Sequence, residues 1–426
     1  MINNFFKNNL IKIGVFNSTS IVVKIIASIV SSKALALFIG PSGLGLLGIF
    51  KEFFNMTMNV SSLGLQRGII KYSAELKNHK EELKIFISTT MVLGLVVSII
   101  ISFFVFIFSV ELNNFLFFKN NYIIIFKTVA FLIPISVLSN YWIFILNGLG
   151  YLKQVIRINI LLYILNMMAI VVLSYKFTTT GALLGISIVY ILQLLSIIVF
   201  KPKGFAFKIS CSTIFSSQYF KKIIGYTLMT ITSLLLFPFI SILIREEIIN
   251  LIGESAAGFW EAMKRISENY LLFASSLILL SVLPKLSENQ SDENFRKVIW
   301  DYIKSIIPFF IIGLVVVYLF KDLIVRLLYS QDFLPMNILF KWYLLGDLFR
   351  VLGMLLAANF FARRNILGYI FTDIFLAVVM YVSTIALLKH YGLNGGGMAY
   401  LLSYLMYFIL LLLVFGKKLF SVKQLK

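Results

Sequence analysis

Lys24, Lys51 and Glu52, then Glu261, Lys264, Arg265 and Glu268, then Asp347, Arg350 and Asp373 all interrupt long apolar runs. A Lys, Arg or Asp at the centre of a membrane-spanning helix costs about 2.5–3.5 kcal/mol to insert. Five cations facing lipid would cost on the order of 15 kcal/mol, so they are expected to face a water-filled interior. Helical spacing agrees. Asn17, Ser20, Lys24, Ser28 and Ser31 fall on one stripe at steps of three or four. Lys51, Asn55, Asn59, Ser62 and Gln66 do the same. Glu261 with Arg265 and Lys264 with Glu268 are opposite charges at i,i+4, and Asp347 with Arg350 at i,i+3. Lys24 has no acid nearby in sequence, and Glu52 projects about 100° away from Lys51 around the helix. The interior set is therefore cationic in excess, which suits an anionic cargo and argues against a pump for organic cations. The acids Glu52, Glu261, Glu268, Asp347 and Asp373 either balance these cations or couple transport to protons or sodium. A single cysteine, Cys211, and two histidines far apart, His79 and His390, offer no metal site. No metal and no cofactor is expected.

These side chains need a scaffold, and composition names it. Of 426 residues, 60% are hydrophobic and 13% charged, against about 45–50% and 25% in soluble domains. An integral membrane protein remains, all-α, since each span needs roughly 20 apolar residues. The runs predict about twelve transmembrane helices: 13–38, 43–65, 85–109, 122–147, 157–175, 180–200, 220–244, 256–283, 303–320, 337–361, 366–388 and 396–416. Ala34-Leu35-Ala36 resembles a signal-peptidase site, but Lys24 interrupts the preceding run, so cleavage is not expected. Pro134, Pro238 and Pro308 fall within spans, and Thr227, Thr230 and Ser233 precede Pro238 on a polar face.

The net charge of +20 follows from the excess of Lys and Arg in cytoplasmic loops rather than from nucleic-acid binding. Arg67, Lys71, Lys77, Lys80 and Lys84, then Lys201, Lys203, Lys208, Lys221 and Lys222, and finally Lys417, Lys418, Lys423 and Lys426 mark the inner side. Lys33, Lys119, Lys176, Arg245 and Lys389 fall on the outer side. Both termini are then cytoplasmic. The basic connection near the middle divides the chain into an N-terminal six-helix lobe (1–201), a cytoplasmic linker (202–219) and a C-terminal six-helix lobe (220–426). Internal similarity accompanies the division. Gly45 through Glu52 aligns with Gly258 through Arg265, and Gly181 and Tyr190 match Gly395 and Tyr404. Equal orientation of the halves implies a pseudo-two-fold axis along the membrane normal and a central cavity.

Several segments in this order carry a family likeness. They are Lys24 through Lys33; Gly40-Pro41-Ser42-Gly43-Leu44-Gly45 leading to Phe50-Lys51; and Phe259-Trp260 with Ile266-Ser267-Glu268-Asn269-Tyr270-Leu271. Leu283-Pro284-Lys285-Leu286-Ser287 and Trp342 through Val351 complete them. The chain resembles, over essentially its whole length, the Wzx-type flippases of undecaprenyl-diphosphate-linked oligosaccharides. These belong to the multidrug/oligosaccharidyl-lipid/polysaccharide exporter superfamily, and the likeness points to its enterobacterial lipid III flippase branch. That branch favours Arg at the position of Lys51, Lys at that of Arg350, and small or polar residues at those of Lys264 and Arg265. The resemblance implies a bacterial inner-membrane flippase rather than an enzyme. Its cargo would be undecaprenyl-diphosphate-linked O-antigen or related surface-polysaccharide repeat units, a step of lipopolysaccharide biosynthesis. Transport would use alternating access, with Lys24, Lys51, Lys264, Arg265 and Arg350 as substrate-binding residues. Membrane lipids, the polysaccharide polymerase and the chain-length regulator are the implied partners. A small-drug exporter and a membrane polysaccharide polymerase are the alternatives. The first is disfavoured by the cationic interior, the second by outer loops too short to hold catalytic groups.

Overall fold

The computed structural model describes residues 2–117, 120–202, 217–363 and 365–420, with side chains described from 19 onward except at 217–233 and 280. Most of the 202–219 segment, with Cys211, lies outside the described residues, as do the side chains of Thr227, Thr230 and Ser233.

Helices account for the described chain, and no strand occurs among the described residues. In order they are α1 (Ile2–Ser61), α2 (Gln66–Glu75), α3 (Lys80–Ile107), α4 (Ser109–Phe117), α5 (Ile123–Gly148), α6 (Leu152–Ser187), α7 (Val189–Phe200) and α8 (Ser217–Leu251). There follow α9 (Glu254–Leu277), a π-helical turn (Ile278–Val282), α10 (Leu283–Glu288), α11 (Asp292–Ser305), α12 (Ile307–Leu319), α13 (Lys321–Leu328), a 3₁₀ turn (Gln331–Met336), α14 (Asn337–Ala362) and α15 (Ile366–Phe420). All-helical architecture is what a bilayer demands, because no water there satisfies a free backbone amide. Among the described residues, seven helical stretches are long and apolar enough to cross a membrane. Three helices break and continue: α1 at Gly40, α6 at Phe177–Thr178 and α15 at Gly392. Pro134 and Pro238 lie inside α5 and α8, whereas Pro308 begins α12 just after the break at Ile306. Large apolar side chains such as Phe131, Phe309, Leu367 and Leu413 are exposed, as lipid contact requires.

The chain forms two compact units. Unit 1 comprises residues Met1–Ile39 and Ile49–Phe239, and unit 2 comprises Gly40–Gly48 and Ile240–Lys426. In unit 1, Leu65, Ile69, Phe86, Met91, Val137 and Ile145 close a core between α2, α3 and α5. Tyr141 threads through it and donates its hydroxyl to the Ser62 carbonyl at 3.0 Å. In unit 2, Phe415 of α15 packs on Phe360 of α14 (4.9 Å) and Phe295 of α11 (5.6 Å).

The short segment 40–48 joins unit 2 because its glycines meet α9. A Cβ on Gly258 would lie 1.8 Å from the Pro41 carbonyl oxygen, and one on Gly45 would lie 2.9 Å from the Gly258 amide nitrogen. Only glycine permits backbones this close, the small-residue crossing typical of membrane helices. The two glycines that align in sequence thus touch in space.

Element boundaries recur along the chain. Lys80–Ile107 and Asp292–Leu319 each span 28 residues. Ile123–Gly148 and Asn337–Ala362 each span 26. Helix α6 starts at 152 and α15 at 366, the same separation of 214 positions as between 123 and 337. The backbone breaks at Thr178 and Gly392 keep that separation. Three residues after each break, Gly181 and Gly395 approach carbonyls eight residues earlier, those of Leu173 and Leu387.

Candidate functional site

Unit 2 holds a buried charged cluster built by α8, α9, α14 and α15. Glu261 of α9 is its first anchor, 1% exposed. Arg245 of α8, 0% exposed, ion-pairs with Glu261 through Nη2. Arg265, one turn along α9 and 15% exposed, donates Nε to the other carboxylate oxygen at 2.7 Å. The guanidinium of Arg245 also lies over the Trp260 ring, 4.9 Å from its centroid. This packing depends on Gly48, since a Cβ there would sit 2.9 Å from Arg245 Nε and 3.0 Å from Glu261 Oε2. Two guanidinium groups thus share one carboxylate, leaving a net positive charge away from bulk water. Such a triad persists only because each charge has a close partner.

Lys264 stands at the edge of this triad, 24% exposed. It lies 3.9 Å from Glu268, donates to Ser241 Oγ at 3.3 Å and sits 5.9 Å from the Trp260 centroid. An ammonium in that setting keeps part of its hydration and stays accessible to an anion.

Asp347 of α14 is the second anchor, fully buried. Its carboxylate accepts from Ser267 Oγ at 2.7 Å, from the Tyr270 hydroxyl, and from the Tyr400 hydroxyl at 2.6 Å. Arg350 donates Nη1 to the same Tyr400 oxygen at 3.0 Å and lies 5.3 Å from the Tyr404 centroid. The i,i+3 spacing therefore places Asp347 and Arg350 on one face, but the phenol of α15 joins them instead of a direct ion pair. Tyr343 stacks on Tyr400 at 4.0 Å, one helical turn before Asp347. Three helices are tied at this one carboxylate.

The sequence-selected residues divide between the units. Lys264, Arg265, Arg350, Glu261, Glu268 and Asp347 assemble in unit 2 as described. Lys24, Lys51 and Glu52 belong to unit 1. There Lys24 is exposed on the first leg of α1, while Lys51 is half-buried and Glu52 buried on the second. Asp373 is buried near the start of α15, beside Tyr407. The i,i+4 pairs of α9 form as their spacing requires.

Arg245 is a correction. The apolar run ends at Ile244, so the sequence places Arg245 in an outer loop. In the structure α8 continues to Leu251 and Arg245 is its most deeply buried described cation. The missed signal is Ser241 at i−4 from Arg245, a polar pair on one helical face. The tyrosines of α14 and α15 are equally hidden in the sequence, because phenols are common in membrane helices and nothing in their spacing marks a carboxylate partner.

The comparisons with known proteins fit this architecture. Residues 34–338 match the family model described as polysaccharide biosynthesis protein. The chain is 23% identical over 404 residues to the lipid III flippase of Escherichia coli (strain K12), covering 94% of this chain and 97% of that protein. The lipid III flippase of Shigella flexneri gives the same values. Among solved structures, an inward-facing multidrug resistance MATE family transporter of the MOP superfamily superposes with a TM-score of 0.75 at 17% identity, covering 95% and 96% of the two chains. The lipid II flippase MurJ in its inward closed conformation gives 0.68 at 16% identity, covering 96% and 90%. The fold is that of these multi-pass membrane transporters, and with most of its length matched by the family model, the chain belongs to the polysaccharide biosynthesis protein family.

Proposed function

We propose that the protein is a flippase that moves undecaprenyl-diphosphate-linked repeat units of O-antigen, or of a related surface polysaccharide, from the cytoplasmic to the periplasmic leaflet. One observation carries this reading: 94% of the chain aligns with proteins named lipid III flippases. Those relatives and the structural neighbours are flippases and transporters, not enzymes. The chemistry of the cationic side chains supports it. The difficulty in flipping is to bring a diphosphate and its sugars across hydrocarbon while the polyprenyl tail stays in lipid. A cation 4 Å from a phosphate charge contributes about 4 kcal/mol at an effective dielectric near 20. Lys24, Lys51 and Lys264 would supply such contacts. Arg265 and Arg350 would shape the field while held by Glu261 and by Tyr400. The working architecture is twelve spans in two six-helix lobes that rock about a central cavity. The polysaccharide polymerase and chain-length regulator would receive the cargo in the inner membrane.

The test is complementation. Expressed in a flippase-null strain whose O-antigen is its cognate cargo, the chain should restore long O-chains on a lipopolysaccharide gel. Undecaprenyl-linked single units should stop accumulating. The MATE likeness favours a second reading, a drug exporter. Restored drug tolerance without O-chains would decide for that reading.

Orientation has its own test. Tags at the N-terminus, near Ser212 and at the C-terminus should all report cytoplasm, since Lys and Arg flank each site. A periplasmic reporter signal at any of them would overturn the twelve-span arrangement.

A further inference from the structure

Tyr404, at the edge of the charged cluster of unit 2, has a positional counterpart in unit 1, and the surroundings of the two differ. Tyr190 precedes Tyr404 by the same 214 positions that separate 123 from 337. Tyr404 lies beneath Arg350. The ring of Tyr190 instead lies 5.7 Å from Phe54, with Asn140 beside it. Gln193 donates Nε2 to Asn140 Oδ1 at 3.4 Å, and Ser139 donates Oγ to Gln193 Oε1 at 3.5 Å. None of these side chains carries a charge. Asn140 and Tyr190 are half-buried, whereas Gln193 and Phe54 are buried behind them.

Polar side chains at membrane depth either join helices or line a substrate path. The distances favour the path. The bonds between Asn140, Gln193 and Ser139, at 3.4–3.5 Å, lie beyond the usual 2.7–3.2 Å. A joint between helices gains from short bonds. A loosely satisfied carboxamide at a partly open position can instead exchange a partner for an incoming group. A carboxamide offers both donors and acceptors, and a phenol offers one of each with an apolar ring face. A sugar hydroxyl is likewise donor and acceptor. Placement fits too: Asn55 follows Phe54, is half-buried, and lies one helical turn, about 6 Å, beyond Lys51 on the same face. A diphosphate held at Lys51 would direct its first sugars along that face.

We propose that Asn140 and Tyr190, positioned by Gln193 and Phe54, form a carbohydrate-recognition site in unit 1 that reads hydroxyls of the cargo's sugars. The inference rests on the flippase reading above. It adds a division of labour, with neutral groups of unit 1 selecting the glycan and cations holding the phosphates.

Binding to the purified full chain in nanodiscs tests this with two probes. One is undecaprenyl diphosphate, the other the undecaprenyl-diphosphate-linked oligosaccharide extracted from the flippase-null strain. The unaltered protein should prefer the glycosylated probe by about tenfold or more. Asn140→Ala and Tyr190→Phe should each reduce that preference by about threefold to tenfold, the effect of one hydrogen bond. Binding of undecaprenyl diphosphate should stay within about twofold of the unaltered protein, which also shows that the variants are folded. Lys51→Ala should weaken both probes alike. If the variants lose both probes equally, or the unaltered protein binds both equally, the recognition site is wrong and the flippase reading stands. If the unaltered protein binds neither probe, the flippase reading itself fails.

Discussion

Glu261→Gln is expected to lower the unfolding free energy by about 3–5 kcal/mol, the range for breaking a buried ion pair from one side. The loss arises because Arg245 is 0% exposed and Arg265 only 15% exposed, and both point at the same carboxylate. Neutralising Glu261 leaves two guanidinium charges close together in a low-dielectric interior. The Trp260 ring offsets part of one charge. A cation–π contact contributes only about 2 kcal/mol when desolvated, so it does not replace the carboxylate. Arg245→Met combined with Glu261→Gln removes one charge with its partner and should recover much of the loss. Denaturant unfolding in micelles, read by the fluorescence of Trp260 and the other tryptophans, measures both variants. If the double variant is no more stable than the single one, Arg245 does not depend on Glu261 for its burial.

Lys51→Ala and Lys264→Ala should each abolish or sharply reduce O-chain display at normal protein level, and Lys24→Ala should do so too. A lost phosphate contact of up to about 4 kcal/mol corresponds to as much as about a thousandfold in rate. Water replacing the ammonium recovers some of that, so a loss of at least about tenfold is the expected outcome. Lys→Arg variants should retain more function, because positive charge near a diphosphate is the property required. Lys77, exposed beyond α2, provides a control of equal charge. Complementation on a lipopolysaccharide gel, with membrane abundance measured in parallel, separates transport from folding. Full complementation by all three alanine variants would make these lysines structural.

Much of the scaffold is legible from composition alone, because length and polarity of the runs follow from bilayer thickness. The pairs Glu261–Arg265 and Lys264–Glu268 are equally legible, since helical spacing brings them together whatever surrounds α9. Partners distant in sequence are not legible. Tyr400 stands 53 positions from Asp347, and only the packing of α15 on α14 makes its phenol a donor there. Arg245 escapes a sequence reading for a related reason. A charge after an apolar run looks like the start of a loop unless an acid on another helix is known to receive it. The breaks are legible: those at Gly40, Phe177–Thr178 and Gly392 fall in the gaps 39–42, 176–179 and 389–395 between the expected spans. Residue type alone does not mark every one of them, since Thr178 adopts φ 50° without glycine.

The spacing between matching boundaries also marks where the two stretches of chain differ in length. The separation is 213 between Gly45 and Gly258, 212 between Lys80 and Asp292, and 214 between Ile123 and Asn337, and it holds unchanged through Thr178 and Gly392. The two stretches therefore differ in length between 45 and 80 and between 107 and 123, and match from 123 to 178. Engineers seeking a place for an epitope or a fluorescent module should use the connection between the helices ending at 117 and beginning at 123. The short turn between α5 and α6 should be left alone. Its partner turn between α14 and α15 begins and ends at matching positions, a sign that an added residue there would rotate one helix of a pair out of its seat.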